Sequence, residues 1–130
     1  MSNMTIEERT MLRDYILLKY MEQMVQNSLG DIEHSANILK RLYLMAGNAV
    51  LGRIKQDQYR MRRELKQSNI KILGDEQTDF VIYHQINCRG YTERFGLTRD
   101  VMKAEIGLQL TKYTSELGDT LKEASTKAKS

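Results

Sequence analysis

No proline interrupts this chain anywhere in its 130 residues. Proline ends helices because it lacks an amide proton and its ring strikes the preceding turn. A proline-free chain with eight methionines suits long helices that run without a break. The apolar share of 41% and the charged share of 28% argue against disorder. A single domain over 1–130 is expected, long enough to bury a core without metal or disulfide staples.

Spacing predicts a first helix over about 5–29. Thr5 is placed as its N-cap, and Glu8 three residues on completes a capping-box pattern. Met4, Met11, Tyr15, Leu18, Val25 and Leu29 recur at helical steps. Ile16, Leu17, Tyr20, Met21 and Met24 widen the apolar surface beyond one stripe, which predicts more than one neighbour. Gly30 is the expected stop and Asp31 the expected cap of the next helix.

That second helix is predicted over about 31–67. Ile32, Ala36, Leu39, Tyr43, Ala46 and Val50 hold the spacing, joined by Leu42 and Ile54 and followed by Met61 and Leu65. Unbroken, it measures about 55 Å, whereas a domain of this size has a radius of gyration of about 14 Å. It therefore either kinks near Gly47 and Gly52 or projects its distal half, whose apolar residues then need a partner.

Beyond Ser68 the period changes to two. A β-hairpin is predicted over about 69–95, with strands near 69–73 and 79–88 around a polar turn at 74–78. Phe80, Ile82, His84, Ile86 and Cys88 form its more buried face, Arg89-Gly90 a turn or bulge, and 91–95 a third short strand. A last helix is predicted over about 98–117, with Thr98 as N-cap, Asp100 in its first turn and Gly118 as stop. Met102, Ile106, Leu110, Tyr113 and Leu117 make its stripe, and 119–130 is expected to fray. The expected fold is mainly α with some β (α+β): an antiparallel helical hairpin, a small antiparallel β-hairpin and a C-terminal helix packed against it.

A formal net charge of +3 conceals a strong segregation. Residues 1–34 sum to −3 and residues 35–71 to +7, so the second helix is basic and the first acidic. Arg53, Lys55, Arg60, Arg62, Arg63 and Lys66 mark a surface for nucleic acid or an acidic partner. Charge pairing along the seam between the two helices, or plain solvation of a long exposed helix, explains the same pattern. No helix-turn-helix spacing, zinc finger or stacking motif accompanies it.

The chemistry-bearing residues are few. Cys88 is alone, so it forms no internal disulfide and gives no sign of an oxidising compartment. It stands about 13 Å along a strand from His84, too far to share a metal with it, and His34 lies on a distant helix start. No metal site, cofactor or catalytic set is expected. Arg89, Tyr91, Arg94 and Arg99 precede a helix N-terminus, where converging arginines suit a phosphate or carboxylate. The plainer reading pairs Arg94 and Arg99 with Glu93, Asp100 or the acidic residues Asp75, Glu76 and Asp79.

The leading functional reading is a non-enzymatic protein-interaction or regulatory protein acting as a helical homo-oligomer. Met11, Leu18, Met21, Val25, Leu39, Tyr43, Ala46 and Val50 are its expected interface, methionine suiting adaptable surfaces. A nucleic-acid-binding protein using the basic helix is the alternative. A small anionic-ligand-binding domain or enzyme is the second alternative. No apolar run approaches the roughly 20 residues of a membrane span, and the acidic, polar start is unlike a secretory signal. A cytoplasmic protein without membrane contact is the expectation.

Overall fold

The computed structural model describes residues 3–129, with side chains through residue 119. Helix α1 spans Ile6–Glu33. Thr5 Oγ1 accepts the Glu8 amide at 3.1 Å and the Glu8 carboxylate accepts the Thr5 amide at 2.9 Å, the reciprocal bonds of a capping box. The helix runs through Gly30, which corrects the expected stop there. It ends where the His34 amide and ring Nδ1 donate to the Gly30 carbonyl, at 3.3 and 2.8 Å. Asp31 therefore lies inside α1 and caps nothing. The chain turns over 34–39, where Asn37 Oδ1 accepts the Leu39 amide at 2.7 Å.

Helix α2 spans Lys40–Gln67, shorter at its start than the 31–67 expected. It is continuous through Gly47 and Gly52, and the half expected to project is corrected: the distal half holds the buried Ile54 and Leu65, while residues 40–53 hold no buried residue. Its 28 residues extend about 42 Å. A Cβ on Gly47 would stand 2.5 Å from Leu29 Cδ2, so the missing side chain is what leaves room for Leu29 between α1 and α2.

The sheet is a three-stranded antiparallel meander of β1 (Ile70–Gln77), β2 (Val81–Cys88) and β3 (Tyr91–Thr98). Residues 74–77 pair with 82–85 beyond a bulge at Leu73, so the turn expected at 74–78 moves to Thr78–Phe80. Charge on β1 suits an edge strand, whose outer side must not pair with another chain. Arg89 and Gly90 join β2 to β3 with φ of 52° and 90°, the left-handed pair a two-residue hairpin turn requires. The third strand is full length rather than ending at Phe95.

Ile82, His84, Ile86 and Cys88 form the buried face as expected, with Phe95 and Leu97 beside them. Phe80 does not join it: it sits in the turn and is 81% exposed. Helix α3 spans Arg99–Lys129, begun by Thr98 Oγ1 accepting the Val101 amide at 3.2 Å. It passes Gly118, so the segment expected to fray is helical as far as Lys129. Ser130 lies outside the described residues.

One apolar core joins these layers. Leu12, Ile16, Leu17, Leu18 and Met21 of α1 are fully buried, and three consecutive buried residues need covering on most sides of a helix. The core around them draws in Ile54 and Leu65 of α2, the inner sheet face, and Met102, Ile106 and Tyr113 of α3. Tyr113 donates its hydroxyl to Asp57, tying α3 to α2. Burial, then that bond, push its ionisation well above the ordinary tyrosine range. Among the described residues no helix is long and apolar enough to cross a membrane.

Candidate protein-interaction surface

The burial of the helical hairpin stops half-way along it. Buried residues on α1 end at Met21 and on α2 begin at Ile54. Residues 22–53 form a two-helix arm in which no residue is buried. Val25, Leu29, Ala46, Gly47 and Val50 are half-buried between the helices or against the core. Ile38, Leu42 and Met45 turn outward, 96%, 55% and 67% exposed. Met24, Leu39 and Tyr43 are also exposed, so the arm carries apolar side chains that its own chain does not cover.

This geometry sorts the expected interface residues. Leu18 and Met21 are fully buried in the core of their own chain, so they are unavailable to a partner, which corrects their assignment. Met11, Val25 and Val50 pack against that core and Ala46 is half-buried. Leu39 and Tyr43 remain open. The outward residues Ile38, Met45, Ala49 and Gly52 were absent from the expected set. Their signal is legible at four- and three-residue steps with Leu42, but a second apolar stripe lies one residue over and masks it.

The basic residues of α2 are displayed on its surface. Lys55, Arg62, Arg63 and Lys66 are exposed, the Arg62 and Arg63 guanidinium groups each 5.9 Å from the Tyr59 ring centre. Arg53 pairs with Glu116 at 2.6 Å and Arg60 with Asp57 at 3.6 Å. Glu22, the acid of α1 nearest this surface, accepts from Gln58 at 2.9 Å.

The proposed anion site is not assembled. Arg89 and Arg99 lie at opposite ends of the β3 hairpin, about 25 Å apart along a strand of this length. Arg89 binds Glu8 through two nitrogens, at 2.8 and 3.0 Å, while Arg99 donates to the Thr78 carbonyl at 3.1 Å. Arg94 stacks 3.9 Å over Tyr83 with Glu76 at 3.7 Å, on the face opposite the core. Gly96 permits that stack, since a Cβ there would meet the Tyr83 ring at 2.9 Å. Tyr91 is exposed at the turn. Each arginine has a separate partner, so no common anion site forms.

Several hollows lie in the body, among them two that bring titratable groups together. An open groove of about 680 Å³ between α1, α2 and α3 holds the carboxylates Glu7, Asp14, Glu64 and Glu105 among apolar residues and the basic Arg60 and Lys112. A smaller niche of about 460 Å³ beside β1 brings Lys19, Tyr20, Asp75 and His84 together. His84 is buried and its Nδ1 has no hydrogen-bond partner; burial holds its pKa below 6.5. Burial likewise raises the Cys88 thiol, leaving it unreactive. Among the described residues no three His, Cys, Asp or Glu side chains are grouped to hold a metal ion.

The profile of the YhjD protein family matches residues 3–118, arm and body together. This chain belongs to that family. No curated protein and no solved structure matches it. Family membership therefore brings no partner or activity with it, and function rests on the surface.

Proposed function

We propose that this YhjD family member is a non-enzymatic interaction module whose binding end is the helical arm. One observation carries the reading: residues 22–53 are rich in apolar side chains and not one of them is buried. A stable layer architecture buries the apolar stripe of each helix against another element. The body does this for the near halves of α1 and α2 through the sheet and α3. Among the described side chains no third layer buries the apolar residues of the arm. A partner protein, either a second copy or a different chain, supplies it, which makes the domain a regulatory or assembly component.

A nucleic-acid role is the second reading, favoured by the exposed row of Lys55, Arg62, Arg63 and Lys66 beside Tyr59. It predicts affinity that falls steeply with salt as phosphate counterions are released. The apolar residues interleaved with that row favour the protein partner.

Site-specific photocrosslinking in the native cell tests the proposal. A crosslinker at position 42 or 45 is expected to trap discrete protein adducts, while one at the exposed body position 7 traps none. An adduct of twice the chain mass identifies a second copy. No discrete adduct at either arm position ends the reading.

A further inference from the structure

Resting on the interaction-module reading, we infer that the outward face of α2 takes an acidic amphipathic helix of another protein, laid along it as in a coiled coil. Below the exposed Ile38 of the preceding turn, Leu42, Met45, Ala49, Gly52 and Tyr59 of α2 all face outward. With Gln56 they step by four and three residues in alternation, an average of 3.5. That is the period that keeps one helix facing another along a supercoiled seam. Nothing of the described chain covers it. A Cβ on Gly52 meets no atom within 4 Å, so this glycine serves no internal packing. With Ala49 it makes the lowest point of the seam, where a second backbone approaches closely.

The residues flanking the seam choose the partner. One flank holds Arg41, Lys55 and Arg62 and no carboxylate, and the other holds Arg53 and Arg60, which pair with Glu116 and Asp57 of their own chain. The acids of α2, Asp57 and Glu64, line the groove toward α3 instead. Arg41 and Lys55 make no ion pair among the described residues. In a coiled coil these flanking positions meet their counterparts on the partner. A second α2, parallel or antiparallel, sets basic row against basic row, and like charges in register oppose pairing. Helix α1 of a second copy is acidic, but its apolar residues Leu12–Met21 are spent in its own core. The complement is a helix with apolar residues at 3.5-residue spacing and Asp or Glu on both flanks.

The probe is a synthetic peptide of about four heptads, leucine on the seam and glutamate on both flanks, which repels its own copies. Two controls accompany it: the same peptide with lysine flanks, and a scrambled isomer of equal composition. Titration followed by circular dichroism is expected to show a one-to-one complex in which the peptide gains helix. Met45→Asp weakens it by roughly tenfold or more without lowering the melting temperature. The lysine peptide binds at least about tenfold more weakly, and Arg41→Glu with Lys55→Glu and Arg62→Glu reverses that preference.

Equal binding of the scrambled isomer overturns the inference, because charge alone then suffices. Self-association of the free protein that Met45→Asp abolishes overturns it in favour of a second copy. So does a DNA duplex that displaces the peptide and binds Met45→Asp unchanged. Failure of the peptide while crosslinks at 42 and 45 persist overturns the acidic-helix assignment and leaves the interaction reading standing.

Discussion

Arg89 grips both carboxylate oxygens of Glu8, its Nη1 2.8 Å from Oε2 and its Nη2 3.0 Å from Oε1. Glu8 is also the third residue of the α1 capping box. The bond therefore fastens the β2–β3 turn, a late element of the chain, to the first turn of the first helix. Arg89 also donates to the Ser68 carbonyl at 3.1 Å and to the Asn3 carbonyl, joining the N-terminal segment and the end of α2 to its own turn.

The pair makes stability depend on acid. The Arg89 bond first, and then the Thr5 amide, hold the Glu8 carboxyl down from 4.5 to about 2. A carboxyl depressed in the folded state favours unfolding once protons bind, so its contribution is intact above pH 4.5 and lost toward about 2. Urea midpoints measured between pH 7 and pH 3 are expected to fall over that window. Glu8→Gln lowers the midpoint at pH 7 and flattens the slope. Thr5→Ala, which removes the other half of the box, costs about 1 kcal/mol.

His84 acts in a higher window. Burial keeps its folded-state pKa below the ordinary 6.5, so the unfolded chain takes up the proton first. Stability is full above pH 6.5 and declines as pH falls below it. His84→Leu removes this decline and is neutral or stabilising by about 1 kcal/mol, because Nδ1 lacks a partner. A variant that keeps the wild-type slope between pH 7.5 and 5.5 rules this account out.

Body and arm respond differently to truncation. Leu17 and Ile54 are completely buried, and Leu17→Ala or Ile54→Ala is expected to cost about 2–5 kcal/mol. Leu42→Ser and Met45→Ser remove outward side chains and stay within about 0.5 kcal/mol of wild type. Hydrogen exchange gives the same division, with amides of 22–53 exchanging well before those of Leu12–Met21. Equal protection of both halves counts against an uncovered arm.

Two glycines of α2 have opposite roles. Gly47→Val drives a side chain into Leu29 across the hairpin and is expected to cost about 1–3 kcal/mol. Gly52→Ala meets open space, so it gains up to about 1 kcal/mol of helix propensity. Thermal melts of the two variants should move in opposite directions.

The local elements were legible because each signal is local. The capping box at Thr5 and Glu8, the alternation from Ile82 to Cys88 and the Arg89-Gly90 turn are written in neighbouring residues, and all three form. Boundaries slipped where the deciding partner is not the residue that looks decisive. Gly30 and Gly118 invite a stop, yet the helices pass them; His34 ends α1 one turn later through its own hydrogen bonds.

By itself, the sequence determined the order of helices and strands, the faces on which their apolar residues recur, and the segregation of charge onto α2. Periodicity marks a face because every residue on it points the same way; it carries no information about what stands opposite. Tertiary structure alone decided that the sheet and α3 cover Leu18 and Met21 while leaving Leu42 and Met45 bare. It also dispersed Arg89, Arg94 and Arg99 to separate partners, since residues close in sequence are carried apart along an extended strand. The arm shows the same limit: spacing carries the apolar stripes past Met21 and Ile54, and only the packing shows that burial stops at those residues.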